Sequence, residues 1–226
     1  MNRPRCVIKI GGSLIPEYLG GIVDAVADGA ARWRIVLVPG GGRLVRVLRD
    51  YRRQCPGLAP RALYECALLA MRQHALLIRD LRGFEIRDTF ARLHHGCDEA
   101  VSVFAPHPQQ IDVEASREWD LEGASSDTLA AYCAVFTDAM LIKLTDVDGI
   151  LDGDPRTASR PALLATVSTG DLTAQTCIDV GAPRIIEEHA IQAWILNGHH
   201  PDRLRRLLSG QPVVGTRVLP RHRGVR

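Results

Sequence analysis

Lysine is almost absent from this sequence. Of the 28 basic residues among its 226, only Lys9 and Lys143 are lysines, and all the others are arginines. Codon bias explains a general preference for arginine, but both lysines lie inside apolar runs rich in β-branched residues. An unpaired ammonium group in such a run must meet an anion or lose its proton. We therefore expect each lysine to bind an anion such as phosphate, the alternative being a side chain that reaches solvent from a strand end.

Long apolar runs are also missing. Asp138 and Lys143 interrupt the longest one before it reaches the ~18 residues that a bilayer requires. There is no Cys-x-x-Cys pair among the six cysteines, no Asn-x-Ser/Thr sequon, and no apolar signal segment ahead of Lys9. These absences predict a cytoplasmic protein with reduced thiols and no membrane partner.

The charges are nearly balanced and scattered along the chain. Twenty-eight basic residues stand against 26 acidic ones, which gives a net charge of +2 without a basic block that could follow a nucleic acid backbone. A composition of 46% hydrophobic and 24% charged residues is typical of a globular protein. We expect no nucleic acid partner and one domain over residues 1–226, because α/β folds often exceed the usual ~150 residues per domain.

Short apolar runs alternate with longer segments of helical periodicity, which predicts an α/β fold with a parallel sheet covered on both faces. The predicted strands are 6–10, 35–38, 100–104, 140–144, 193–196 and 216–218. The predicted helices are 17–30, 44–54, 60–81, 127–136, 183–189 and 201–208.

Glycine-rich turns follow the first two predicted strands, at Lys9–Ser13 and Pro39–Gly42. Glycine lets the backbone approach an anion closely and direct its N–H groups at it, and the helix that follows adds its positive end. Either turn alone would more often be a plain connection. Two turns at the edge of the sheet where ligands bind predict a phosphate site.

Several known phosphate and metal sites are excluded. Neither lysine stands in a Gly-Lys-Ser/Thr sequence, so there is no P-loop, and the Rossmann and protein-kinase signatures are missing as well. The acidic stretch 146–154 fails as an EF-hand, because its glycine falls two residues early and Thr157 stands where the last ligand would be glutamate. We predict no protein-built metal site.

Taken together, four motifs in order resemble the amino acid kinase superfamily. They are Lys9–Ser13, Pro39–Gly42, Ser126–Ala131 and Leu144–Ile150, the last followed by Asp154 and Pro155. The resemblance implies a three-layer α/β/α sandwich with a mainly parallel central sheet. It also implies an ATP-dependent kinase whose N-terminal half holds the acceptor and whose C-terminal half holds the nucleotide, with Mg²⁺ accompanying the ATP.

The resemblance also implies roles for individual residues. Lys9 would hold the transferring phosphoryl group, Asp127 would orient the lysines, and the glycine N–H groups would stabilise the phosphoryl oxygens. The implied phosphate and acceptor residues are Gly11, Gly12, Ser13, Gly40, Gly41, Gly42, Trp119 and Ser126. The implied nucleotide-binding residues are Thr145, Asp146, Val147, Gly149, Ile150 and Asp154.

One expected feature is missing. Many members of the superfamily carry a second catalytic lysine in a Gly-Gly-Met-x-x-Lys segment, but the corresponding segment here, Cys177–Arg184, contains none. Our hypothesis is that Lys143 supplies the second cation, with Arg184 as the alternative.

Further segments carry a narrower resemblance, namely Trp119-Asp120 ahead of Ser125–Asp127, then Cys177–Pro183, Leu196–Gly198 and Gly215-Thr216. Within the superfamily they look most like the small kinases that phosphorylate aminomethylfuranmethyl phosphate in the synthesis of methanofuran-type cofactors. Trp119 would then stack on the furan ring, and Asp120 or Glu122 would pair with its ammonium group. The alternatives are a kinase for a nucleoside monophosphate or an acyl carboxylate, and a non-catalytic nucleotide- or anion-binding protein of the same fold. A homo-oligomer that binds small molecules is expected in each case.

Overall fold

A computed structural model describes residues 3–94, 99–108, 124–153, 161–172 and 177–221. The strands in these residues are β1 (Arg5–Ile10), β2 (Arg34–Pro39), β3 (Glu85–Arg87), β4 (Val101–Phe104), β5 (Met140–Thr145), β6 (Thr166–Ser168), β7 (Ala193–Asn197) and β8 (Thr216–Leu219). The α-helices are α1 (Leu19–Gly29), α2 (Gly42–Gln54), α3 (Pro60–Arg82), α4 (Ala91–His94), α5 (Ser126–Thr137), α6 (Gly181–Glu188) and α7 (Pro201–Leu208). Short 3₁₀ helices cover Gly12–Leu14 and Thr169–Asp171.

All the strands belong to one sheet, in the order β3-β4-β2-β1-β5-β7-β8-β6. Every neighbouring pair is parallel except β7 and β8, which are antiparallel. The two glycine turns therefore emerge side by side, because they follow the carboxyl ends of the adjacent parallel strands β1 and β2.

Each face of the sheet carries its own apolar core. Successive residues of β1 point to opposite faces, so Val7 joins the core packed against α5 and α6, whereas Ile8 joins the core packed against α1 and α7. Helices thus cover both faces, and the predicted α/β/α sandwich with a mainly parallel sheet is confirmed.

Some boundaries differ from the prediction. Strands β3 and β6 were not predicted, because each has only three residues and their sequences, Glu-Ile-Arg and Thr-Val-Ser, contain a single apolar residue. Helix α1 begins at Leu19 instead of at the predicted residue 17, since the Tyr18 and Leu19 amides first close turns onto Leu14 and Pro16.

The longest described helix, α3, begins with Pro60 in its first turn and ends at Arg82, followed by the capping residue Gly83, whose φ of 69° suits glycine. Neither this helix nor any other in the described residues is long and apolar enough to cross a membrane.

Candidate functional site

The two lysines of the chain meet at the centre of the sheet. Strands β1 and β5 are parallel neighbours whose register places Lys9 beside Lys143. Residues two apart in a strand share a face, so Lys9 points the same way as Val7, towards the core under α5. Both side chains are buried, with Lys9 7% and Lys143 6% exposed.

Asp127 supplies the anion that these buried ammonium groups need. Its Oδ1 lies 2.8 Å from Lys9 Nζ, and its Oδ2 accepts a hydrogen bond from Lys143 Nζ. Helix α5 places the carboxylate there, because the Ser125 side chain accepts hydrogen bonds from the amides of Asp127 and Thr128 and so fixes the first turn.

The charges of this cluster are tightly coupled. Burial alone would raise the pKa of Asp127, but the positive charges of Lys9 and Lys143 outweigh it and lower the pKa to about 2. Burial, and then the nearby charge of Lys9, lower the pKa of Lys143. With both ammonium groups charged, the cluster carries two positive charges against one negative charge. The excess positive charge suits an anionic ligand.

The segment that lacks the expected lysine also reaches this cluster, but through its backbone. The Asp179 N–H donates to Asp127 Oδ2 over 3.3 Å, and the Asp179 carboxylate accepts from the Gly181 and Ala182 amides at the start of α6. Arg184 lies away from the cluster, because its side chain is 79% exposed and pairs with Glu188. Of the two proposed second cations, Lys143 alone contacts Asp127 among the described residues.

The two glycine turns pack directly against each other. A Cβ atom on Gly12 would lie 2.4 Å from the Gly42 amide nitrogen, which is closer than real contacts allow. The Gly11 amide donates to the Leu144 carbonyl over 2.9 Å, and the Gly40 amide donates to the Ile10 carbonyl over 2.8 Å. These backbone contacts tie the turns to β1 and β5, and thus to the strands that carry the lysines.

Two predicted serines flank the cluster. Ser13 is exposed within the first 3₁₀ helix, and Ser126 is half-buried as the first residue of α5. Both stand at the carboxyl edge of the sheet, where the glycine turns also lie.

The predicted nucleotide residues between 145 and 150 lie at the end of β5 and in the loop that follows it. Thr145 is buried at the end of the strand, Asp146 and Val147 are exposed, and Gly149 and Ile150 are buried. The Ile150 amide donates to the Thr216 hydroxyl over 2.8 Å, which anchors the far end of the loop to β8.

Sequence reasoning missed the side chains that hold this loop at Asp148. Asp148 Oδ1 accepts from Asn197 Nδ2 over 2.9 Å and pairs with Arg203 Nη1 over 2.5 Å. The hydrogen bond from Asn197, followed by the one from Arg203, lowers the pKa of Asp148. The one available signal was Asn197-Gly198 directly after an apolar run, which resembles a strand end at the same edge of the sheet.

Four residues with predicted roles, Trp119, Asp120, Glu122 and Asp154, lie outside the described residues, and their roles stay predictions. Within the described ranges, no group of three His, Cys, Asp or Glu side chains is placed to hold a metal ion.

Comparisons with known proteins identify the family of this chain. The amino acid kinase family profile matches residues 4–197. A [5-(aminomethyl)furan-3-yl]methyl phosphate kinase from Methanocaldococcus jannaschii is 25% identical over an alignment of 218 positions, which spans 94% of this chain and 97% of that protein. A uridylate kinase from Natronomonas pharaonis is 27% identical over an alignment of 242 positions, which spans 96% of this chain and 99% of that protein.

Solved structures show the same fold. The uridylate kinase from Archaeoglobus fulgidus superposes with a TM-score of 0.75 at 21% identity, over 95% of this chain and 99% of its own. The UMP kinase from Ureaplasma parvum superposes with a TM-score of 0.80 at 15% identity, over 97% of this chain and 100% of its own. Because the family profile covers most of its length, the chain belongs to the amino acid kinase family and is an ATP-dependent kinase.

Proposed function

We propose that the protein transfers the γ-phosphoryl group of ATP to a small acceptor that already carries a phosphate. The acceptor we propose is [5-(aminomethyl)furan-3-yl]methyl phosphate, and the product is its diphosphate. The observation that carries the proposal is the buried Lys9–Asp127–Lys143 cluster, whose excess positive charge lies beside two glycine turns.

The reaction needs charge neutralisation more than it needs a base. An oxygen of the acceptor phosphate attacks the γ-phosphorus, a new P–O bond forms, and the bond to the β–γ bridging oxygen breaks as ADP leaves. The attacking oxygen is already ionised at neutral pH, so no side chain has to remove a proton. Lys9 and Lys143 would neutralise the phosphoryl oxygens, while the ionised Asp127 holds both ammonium groups in place.

The glycine amides would complete the acceptor side of the site. The N–H groups of Gly11, Gly12, Gly41 and Gly42 would donate to the phosphoryl and acceptor oxygens, since backbone donors are fixed in place before the reaction begins. Ser13 and Ser126 would add hydroxyl groups at the same edge of the sheet.

The loop at 145–150 would hold the nucleotide. Thr145 lies at its start, and the exposed Asp146 carboxylate, 3.2 Å from the Thr145 hydroxyl, is free to face solvent and a phosphate-bound Mg²⁺. When bound, Mg²⁺ would neutralise charge on the ATP phosphates, which themselves would supply most of its ligands.

The choice of acceptor follows from similarity in sequence. The Methanocaldococcus jannaschii relative named for the furan phosphate matches nearly the full length of this chain. Trp119, Asp120 and Glu122 lie outside the described residues, and their contacts with the furan ring and its ammonium group stay predictions. UMP is the second acceptor to test, because the uridylate kinase of Natronomonas pharaonis is 27% identical over a similar length.

Phosphorus NMR tests the proposal directly. The purified protein is incubated with ATP, Mg²⁺ and, in separate tubes, the furan phosphate, UMP or acetylglutamate. Diphosphate signals from the furan compound alone would support the proposed acceptor. Reaction with UMP or acetylglutamate would support the proposed site but show that the acceptor is a different compound. ATP binding without product in any tube would favour a non-catalytic binding protein.

We further propose that the protein is a homo-oligomer assembled through α2 and α3. Large apolar side chains stay exposed along these helices, namely Leu44, Val47, Tyr51, Leu69, Leu76, Leu77 and Leu81. Patches of this kind mark protein interfaces. Light scattering after size-exclusion chromatography tests this, since a mass near 24.8 kDa would show a monomer.

A further inference from the structure

The second glycine turn is held by a histidine that the proposed mechanism does not use. His74 projects from α3, is 7% exposed, and places its Nδ1 2.6 Å from the Gly40 carbonyl oxygen. A carbonyl oxygen only accepts, so Nδ1 carries the hydrogen of this bond. His74 is therefore a buried hydrogen-bond donor to the Gly40–Gly41 peptide of the turn.

The bond controls the direction of the next amide. In a trans peptide the C=O and the following N–H point in opposite directions. Because His74 holds the Gly40 carbonyl towards α3, the Gly41 N–H points away from that helix. No acceptor takes the Gly41 N–H within the part of the chain that the structure describes.

Such a restraint is needed because Gly40, Gly41 and Gly42 lack Cβ atoms, so side-chain sterics do not oppose rotation of their peptides. If the Gly40–Gly41 peptide turned over, it would present a carbonyl oxygen in place of an N–H and repel an anion. The His74 ring also packs closely against Gly42, since a Cβ atom on Gly42 would lie 2.9 Å from His74 Cε1. The ring therefore packs against the same turn that it hydrogen-bonds.

We propose that His74 is a positioning residue that orients the Gly40–Gly41 peptide, so that the Gly41 N–H binds a phosphate oxygen of the acceptor. The kinetic part of this inference rests on the proposed function. His74 acts through the backbone of the turn and touches neither substrate.

Two substitutions separate the hydrogen bond from packing. His74→Leu removes the donor at similar volume, whereas His74→Asn places an amide N–H near the position of Nδ1. We expect His74→Leu to lower kcat/KM for the phosphate acceptor about 10- to 100-fold, as small misplacements in a site do, with the KM for ATP nearly unchanged. His74→Asn should recover most of the loss. If His74→Leu fails to fold, His74→Gln, whose donor lies further from the backbone, takes its place.

A second measurement does not depend on turnover. In protein labelled with ¹⁵N-glycine, the Gly41 amide resonance is followed as inorganic phosphate is added. We expect it to shift in the wild type and in His74→Asn, and to respond weakly in His74→Leu. An equal shift in His74→Leu, or no shift in the wild type, would overturn the proposal. Absence of turnover in the wild type with a normal Gly41 shift would instead refute the proposed function alone.

Discussion

The proposed acceptor half and the proposed nucleotide half of the site are built by different means. The glycine turns after β1 and β2 are held mainly by backbone contacts, with Gly12 against Gly42 and the Gly11 amide on the Leu144 carbonyl. The loop after β5 is held by side chains, with Asp148 bonded to Asn197 and to Arg203. Apart from the His74 bond, the first half should therefore respond mainly to added bulk, and the second to lost polar groups and to salt.

The buried cluster stands between these halves, and its loss should have the largest effect. Lys143→Met removes the second cation while keeping a side chain of similar length. We expect turnover to fall about 100- to 1,000-fold, the usual result of deleting one donor to developing charge. Steady-state ADP release measures the change.

A matched variant separates charge from geometry. Lys143→Arg keeps the positive charge but replaces a compact ammonium with a planar guanidinium group. That larger group does not fit the position that Lys143 occupies beside Lys9. Its turnover should lie between those of the wild type and Lys143→Met. Wild-type turnover in Lys143→Met would show that the second cation lies elsewhere.

The backbone contact of the glycine turns is the next place to test. In Gly12→Ala the new Cβ atom would collide with the Gly42 amide, so we expect the turns to separate and acceptor turnover to fall about 100-fold. Gly20→Ala is the control, because a Cβ atom there meets no atom within 4 Å. Acceptor kinetics of both variants measure the effect. A Gly12→Ala enzyme with the kinetics of Gly20→Ala would show that close packing of the turns is not required.

Much of this arrangement could be predicted from the sequence. Apolar strands that end in glycine turns identify the edge of the sheet, and the two lysines stand out because arginine is used elsewhere. The Ser125 cap predicts where α5 begins, and hence that Asp127 lies in its first turn.

Other features depend on contacts between distant segments. No local pattern specifies the register that pairs Lys9 with Lys143. Asp179 reaches Asp127 through a backbone N–H, which any residue type would supply. The bond from His74 to Gly40 joins a helix and a turn 34 residues apart, and a single histidine on an amphipathic helix gives no sign of it.

The charge of Asp127 predicts how the stability of the fold changes at acidic pH. The pKa of Asp127 is about 2 in the folded protein, against an ordinary value of 3.8. A carboxylate whose pKa is lowered by folding stabilises the fold above its ordinary pKa and loses that contribution as the pH falls through the folded value. Between about pH 4 and pH 2 the wild type should therefore lose about 2 kcal/mol of stability through Asp127.

Comparing wild type with Asp127→Asn in urea unfolding at pH 6, 4, 3 and 2.5 isolates this contribution. The variant should be less stable at pH 6, and the difference in the free energy of unfolding between the two proteins should narrow as the pH falls. Asp80→Asn serves as the control, because it removes a carboxylate that is exposed on α3 and is not part of the cluster. If the difference in unfolding free energy between wild type and Asp127→Asn stayed constant down to pH 2.5, the assignment of Asp127 as the shared carboxylate of both lysines would be contradicted.

The smallest effect is expected in the loop held by side chains. Asp148→Asn keeps the shape of the side chain but removes its charge, which weakens the bond to Arg203 while an amide can still meet Asn197. Because Asp148 is exposed, solvent screens much of this interaction, and we expect the KM for ATP to rise only about 2- to 5-fold. Kinetics at low and high ionic strength measure the change.

Salt should then separate the two halves of the site. At about 1 M salt the wild type should approach Asp148→Asn in its KM for ATP, because the ion pair with Arg203 is screened in both. The defect of Gly12→Ala should persist at the same salt concentration, since a collision between backbone atoms has no charge to screen. If salt removed the Gly12→Ala defect, or left that of Asp148→Asn unchanged, the division into a backbone-held acceptor half and a nucleotide half held by side chains would be wrong.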